Sequence, residues 1–209
     1  MTAEPDALRA TRRALRRELR ARRAALPPWR RQALALRITA QVARLPQLRS
    51  GAAIGLYAHF GSELPTTALR ALARQRGCRL YLPRIANFSA RSMEFRRDFG
   101  RPLPRNRLGI DEPLGTPSLD VARMDLLLMP LLGFDAAGNR LGNGAGYYDR
   151  LLGAHLDGTA RRTASRWRRP LLVGLAFECQ RLEHIEAAPH DVPLDAVISE
   201  AGLRYFQRE

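Results

Sequence analysis

Apolar positions recur along this chain first at helical and then at strand spacing. Leu8, Leu15, Leu19 and Leu26 share one stripe of a helical period and predict a helix over residues 6–26, ended by Pro27-Pro28. Arg12, Arg16 and Arg23 form a second stripe; at roughly 100° per residue they lie within about 40° of one another, beside the leucines. A helix docked through its leucines would aim these guanidinium groups along one edge of its interface. A second helix is expected over 29–45, before Pro46.

Short apolar runs then predict strands at 52–57, 78–82, 93–95, 124–134, 171–177 and 195–199. Pro83 is expected to close the second of these. Helices are expected over 65–76, stopped by Gly77, and over 145–154. Residues 98–122, with many Pro and Gly, read as a long surface connection, and the arginine-rich 157–170 as a mobile excursion. Strands alternating with helices predict an α/β fold: a single open, largely parallel sheet flanked by helices, with an N-terminal basic amphipathic helix. The 209 residues suit one domain, 1–209, with 1–45 packed on it as a helical segment.

Charge changes the picture in one respect. Lys+Arg number 35 against 20 Asp+Glu, and all the basic residues are arginine. Without lysine there is neither a Schiff-base lysine nor the lysine of a P-loop. Arginine's planar fork suits phosphates and carboxylates. A formal charge of +15 raises nucleic-acid binding as a question, but complete replacement of lysine looks more like a base-composition bias, and nucleic acid is not the favoured partner. No apolar run approaches the roughly 20 residues that span a bilayer, and the charged N-terminus lacks a secretory pattern. A cytoplasmic protein without membrane association is expected. Cys78 and Cys179 are expected to be buried free thiols. The four histidines show no metal-ligand spacing.

The candidate chemistry centres on Gly138-Asn139-Arg140-Leu141-Gly142-Asn143-Gly144-Ala145-Gly146-Tyr147-Tyr148-Asp149-Arg150. It follows an apolar strand and precedes a helix, and a glycine-rich turn there exposes backbone N–H groups that hold phosphates. Two known phosphate loops fit poorly. The dinucleotide fingerprint needs its third glycine where Tyr147 stands, and the P-loop needs lysine. Asp149 reads either as a first-turn helix charge or as a Mg²⁺ ligand beside phosphate. Asp191, before Val192-Pro193, reads as a turn former or a second carboxylate. Glu63, after the first strand, is a solvated carboxylate or a contact for a polar ligand. Tyr147 and Tyr148 are core residues or the wall of a flat aromatic ligand.

Together these segments resemble the 5-formyltetrahydrofolate cyclo-ligase (methenyltetrahydrofolate synthetase) family. That family carries P-x-x-[AG]-F-D followed by G-x-R-[LI]-G-x-G-x-G-[YF]-Y-D. The counterparts here are Pro130-Leu131-Leu132-Gly133-Phe134-Asp135 and Gly138 through Asp149. Arg12-Arg13-Ala14-Leu15-Arg16 with Arg23 and Leu26, Phe60-Gly61-Ser62-Glu63-Leu64-Pro65-Thr66, and His190-Asp191-Val192-Pro193-Leu194-Asp195 are similar to further family segments. The resemblance implies ATP- and Mg²⁺-dependent cyclisation of 5-formyltetrahydrofolate to 5,10-methenyltetrahydrofolate, with release of ADP and phosphate.

By the same resemblance, ATP contacts fall to Arg12, Arg16, Arg140, Gly142, Asn143, Gly144, Ala145, Gly146, Tyr147 and Tyr148. Folate contacts fall to Phe60, Glu63, Gly144, Gly146 and Tyr147, and Mg²⁺ to Asp149 and Asp191. Arg140 and Tyr148 are expected to act on the reacting groups. The sequence departs from the family pattern at Arg12, where lysine is usual, at Pro65, where a carboxylate often stands, and at Ala145, where glycine or lysine is found. The positive charge has the sign that favours polyglutamylated folate. A monomer is the favoured state. The alternatives are a same-fold paralogue with another folate or ATP role, and an RNA-associated protein using its arginine-rich helix; the latter needs that helix free rather than docked.

Overall fold

The computed structural model describes residues 6–155 and 169–207. Most of the expected 157–170 excursion therefore lies outside the described residues. The N-terminal periodicity forms α1 (Asp6–Ala24) and α2 (Pro28–Val42). Leu8 and Leu19 of α1 are buried, and so are Arg12 and Arg23. The helix is thus docked through both of its predicted stripes.

The sheet has eight strands, ordered β10-β9-β8-β5-β1-β2-β3-β4. Its centre is parallel: β1 (Ala53–Gly55), β2 (Arg79–Asn87), β5 (Leu126–Pro130), β8 (Leu171–Leu175) and β9 (Ala196–Ser199). Antiparallel strands close both edges: β3 (Ser92–Arg97) and β4 (Ser118–Leu119) on one side, β10 (Gly202–Tyr205) on the other. The central strands are continuously apolar because both faces are covered. Leu126 and Leu128 pack with α2 and with α3 (Thr67–Gln75), through Ile38, Val42 and Leu69. Leu127 and Met129 pack on the opposite face with Phe95, Met124 and Leu152 of α4 (Tyr147–His155). A third cluster, Leu19, Leu132, Leu141 and Ile185, lies under α1.

Four expectations need correction. The second strand does not stop at Pro83, which pairs with Phe95 inside β2. The β1 register ends at Gly55–Tyr81, so the missing proline N–H points past the end of its neighbour and costs no ladder bond. The apolar run 124–134 is broken at Leu131-Leu132. Its tail forms β6 (Gly133–Phe134), which pairs with β7 (Arg140–Leu141) in a separate hairpin. The glycine loop therefore leaves the hairpin rather than a strand of the main sheet. The connection 98–122 holds β4 and a 3-10 turn at Val121–Arg123, and the edge strand β10 was not anticipated.

Gly133 shows why the hairpin can lie against α1: a Cβ there would sit 2.7 Å from a Leu19 methyl. Both cysteines are free thiols, Cys78 buried but Cys179 only partly so, and burial pushes both thiols up in pKa. Among the described residues, no helix is long and apolar enough to cross a membrane.

Candidate active site

The site is assembled around the β6–β7 hairpin. Asp135, buried in its turn, accepts from the Ala137 and Asn139 amides at 3.0 and 2.9 Å and from the Ile185 amide at 2.9 Å. This fixes the hairpin on the chain segment after β8. The loop Gly142–Gly146 follows, with Gly144 at φ 100° and Gly146 at φ 70°. These left-handed positions suit glycine alone. Ala145 between them has an ordinary negative φ, since Arg91 is the only non-glycine with positive φ among the described residues. The family departure at Ala145 is therefore accommodated without strain.

Helix α1 grips this loop by its carbonyls. Arg16 Nε donates to the Gly142 carbonyl and Arg20 to the Asn143 carbonyl, each at 3.0 Å. Arg150 donates to the Ala145 carbonyl at 2.6 Å. Among the described residues, no acceptor takes the N–H groups of residues 142–146. With three carbonyls turned to arginines and the amides left over, the loop is a donor set suited to an anion.

Two carboxylates stand beside it. Asp149, in the first turn of α4, accepts from Arg140 at 2.5 Å. Asp191 accepts from Arg12 and from the Ala188 amide. The Val192 amide reaches Asp149 at 3.5 Å, so the segment carrying Asp191 lies against the start of α4. Both guanidinium groups are sequestered, with side-chain exposures of 5% for Arg12 and 4% for Arg140. Arg12 and Arg140, expected as phosphate contacts, are thus held here by the acids expected to bind the metal.

The other side of the loop meets the segment leaving β1. Asn143 donates its side-chain amide to Glu63 Oε1 at 3.3 Å, and the Phe60 amide donates to Oε2 at 3.0 Å. Burial pushes the Glu63 carboxyl up, opposed by the Phe60 amide, Arg23 and Asn143. Phe60 itself is 53% exposed. Tyr147 and Tyr148 pack on the core face that includes Phe95. Tyr148 meets Phe95 edge-on, ring centroids 6.4 Å apart. The Tyr148 hydroxyl is buried without a hydrogen-bond partner, and burial with nearby Glu63 drives its pKa strongly upward. A buried orphan hydroxyl in the field of a carboxylate is costly unless a ligand engages it.

The structure therefore gathers Arg12, Arg16, Glu63, Arg140, Asp149, Asp191 and the glycine loop into one region. Sequence reasoning missed Arg20 and Arg150 and gave Arg23 no role. Arg20 lies one helical turn after Arg16, and that spacing was a usable signal. Arg23 donates to Ser62 Oγ at 3.1 Å and to the Leu131 carbonyl at 3.4 Å.

Residues 8–200 match the model of the 5-formyltetrahydrofolate cyclo-ligase family. The chain is 32% identical over 190 residues to 5-formyltetrahydrofolate cyclo-ligase of Escherichia coli K12, covering 87% of this chain and 96% of that protein. It is 29% identical over 196 residues to the Mus musculus cyclo-ligase, covering 90% and 93%. The NMR structure of Aquifex aeolicus 5,10-methenyltetrahydrofolate synthetase superposes with a TM-score of 0.77 at 25% identity, covering 95% of this chain and 94% of that one. The fold, the ordered segments and the match over nearly the whole length place this chain in the 5-formyltetrahydrofolate cyclo-ligase family.

Proposed function

We propose that the protein cyclises 5-formyltetrahydrofolate to 5,10-methenyltetrahydrofolate at the expense of ATP, with the whole chain working as one catalytic domain. The observation that carries the site assignment is the Asn143–Glu63 hydrogen bond. It sets the anion-binding loop one side chain away from the segment read as the folate contact, as phosphoryl transfer between two ligands requires.

The chemistry explains the parts. The formyl carbonyl is a weak electrophile because its ring nitrogen donates into it, and oxide is a poor leaving group. Transfer of the γ-phosphoryl group to the formyl oxygen removes both obstacles. The anilino nitrogen then attacks the formyl carbon and loses its proton, the carbon–oxygen bond breaks, and phosphate leaves with that oxygen. No protein nucleophile is needed. The protein aligns two anionic ligands and stabilises moving charge.

In this reading the amides of residues 142–146 hold the triphosphate, while Arg16 and Arg20 keep the loop in its donor-outward shape. Arg12 and Arg140 supply positive charge next to the transferred group. Glu63 orients the pterin or the formyl group, Tyr147 and Tyr148 wall the ring, and Phe60 covers its outer side. The residues also suit Mg²⁺. Asp149 and Asp191 are hard-oxygen donors on segments in contact, the type that shares Mg²⁺ with substrate phosphates and water. They would hold the ion, and it would neutralise charge on the phosphate oxygens. Among the described residues no group of three or more His, Cys, Asp or Glu side chains converges, so substrate and water oxygens would complete its shell. The net charge of +15 supports a preference for polyglutamylated folate. That preference is checked by the ratio of KM for mono- and polyglutamyl substrate, which should approach one as salt rises.

The test of the main reading is near-ultraviolet absorbance of methenyltetrahydrofolate after mixing protein, ATP and 5-formyltetrahydrofolate, with and without Mg²⁺. Absorbance should grow only with ATP, and fastest with Mg²⁺. No growth with folded protein under any combination would refute the reading. The RNA reading required a free arginine helix; here Arg12, Arg16, Arg20 and Arg23 each bond to the body of the protein.

A further inference from the structure

Arg23 is a buried cation that the mechanism above leaves unused. It sits at the end of α1 with 6% of its surface exposed. Its guanidinium reaches the segment leaving β1 through Ser62 Oγ at 3.1 Å and the end of β5 through the Leu131 carbonyl at 3.4 Å. Neither partner is charged. A guanidinium is seldom buried against neutral acceptors alone, and burial here lowers its pKa despite the opposing field of Glu63. Arg20 of α1 and Arg31 of α2 crowd it further with like charge. What offsets this cost is the neighbour of Ser62. Glu63 lies in the field of Arg23, and its carboxylate receives only amide donors from Phe60 and Asn143.

We infer that Arg23 is a positioning residue for the folate site. It ties the Phe60–Leu64 segment to α1 through Ser62 and favours ionised Glu63 without binding it directly. This rests on the reading of Glu63 as a folate contact. Both donors to Glu63 are N–H groups and favour its ionised form, against the burial that raises its pKa. The groups facing Glu63 are Arg23 from α1, Asn143 from the glycine loop, Tyr148 from α4, and Tyr57 and the Phe60 amide from its own segment. Arg23 is the only full positive charge among them. The arginine that shapes the folate segment thus stands on the same helix as Arg16 and Arg20, which shape the phosphate loop, and α1 sets both halves of the site.

Two variants separate the two roles. Ser62→Ala keeps the charge and removes the tether. It should raise KM for 5-formyltetrahydrofolate by about threefold to tenfold, leave KM for ATP unchanged, and leave the acid limb of kcat/KM where it is. Arg23→Met removes both. It should raise the folate KM by about tenfold or more and move the acid limb upward by about one pH unit, with ATP KM again unchanged. Arg23→Lys should restore the acid limb but not the folate KM, because the ammonium carries the charge without the fork. The ¹³C shift of the Glu63 carboxyl, followed against pH in protein without ligands, gives a readout that needs no turnover. Its midpoint should rise in Arg23→Met and stay put in Ser62→Ala. A midpoint unchanged in folded Arg23→Met overturns the inference, as does an equal rise in ATP and folate KM. If wild-type protein lacks cyclo-ligase turnover while the midpoint still shifts, the folate reading fails and the electrostatic role of Arg23 stands.

Discussion

Glu63 and Asp149 lie on opposite sides of one glycine loop and are treated differently by the protein. On the Asp149 side each carboxylate meets an arginine: Arg140 with Asp149, Arg12 with Asp191. On the Glu63 side the carboxylate receives only amide N–H groups, and the Tyr148 hydroxyl, which feels its field, has no partner. On the first side both carboxylates are charge-paired before ligands arrive, with the Arg140 Nε left buried and unbonded. The second carries an incompletely satisfied polar surface next to an aromatic wall. Paired charge suits a region that must accept phosphate oxygens and a cation in register. A carboxylate held by amides near an unmet hydroxyl suits a region that recognises a polar heterocycle, because a ligand supplying the missing bonds is selected over one that does not.

The sharpest way to break the contrast is to unpair the first side. Asp149→Leu leaves Arg140 buried and uncompensated, and should cost about 3–5 kcal/mol of stability, measured by denaturant unfolding, along with all turnover. Adding Arg140→Met should return most of the stability and none of the turnover. Recovery of turnover in the double variant would show that neither charge acts in the reaction. Arg140→Met alone should lower kcat by about 10²–10³-fold while changing substrate KM far less; a pure KM effect would make it a tether.

A smaller effect is expected at the loop between the two sides. Gly144→Ala places a Cβ 3.4 Å from Arg16 Nε at φ 100°. The left-handed strain should cost about 1–2 kcal/mol and raise KM for ATP more than KM for folate. Equal KM changes would mean that the loop serves both ligands through overall order alone.

Next comes Glu63, through pH. Its folded pKa is raised above the ordinary value of 4.5, burial being the largest cause. The folded protein thus binds the proton more tightly than the unfolded chain. The associated stabilisation is full below the ordinary value and is lost as pH rises through the folded one. Glu63→Gln should therefore raise Tm slightly at neutral pH while raising the folate KM. The opposite sign applies at Asp98, held by Arg70 through two bonds at 2.6 and 2.9 Å and lowered in pKa. Its stabilisation is present above the ordinary carboxylate range and lost on acidification. A Tm for Glu63→Gln below wild type at neutral pH would mean that Glu63 is fully compensated by its donors. The smallest effect is at Tyr148→Phe, which removes a buried unpaired hydroxyl. Stability should rise by up to about 1 kcal/mol as turnover falls.

These contrasts were only partly legible in the sequence. The docked helix α1 was, because Leu8 and Leu19 repeat at local spacing and both stripes faced inward. The glycine loop was, because its residue types are contiguous. The break at Leu131-Leu132 was not, because Leu126 through Phe134 is apolar throughout and periodicity cannot tell one strand from two. Strand β10 was hidden for the opposite reason: Gly202–Tyr205 is a short edge strand with alternating exposure and little apolar signal. The pairing of Arg12 with Asp191 spans 179 positions. Only the fold brings them together, so the chain alone suggested a phosphate ligand and a metal ligand without showing that each neutralises the other. Arg20 was within reach, one turn beyond Arg16. The task of Arg23 was not, since it depends on where Ser62 lies.

The central claim is that the amides of residues 142–146, turned outward by Arg16, Arg20 and Arg150, hold the phosphates of ATP. Amide hydrogen exchange of this segment, measured with and without Mg-ATP, tests it most directly. The account predicts marked slowing at residues 142–146 when nucleotide binds, with most of that slowing lost in Gly144→Ala. Unchanged exchange across the loop at nucleotide concentrations that saturate turnover would contradict it.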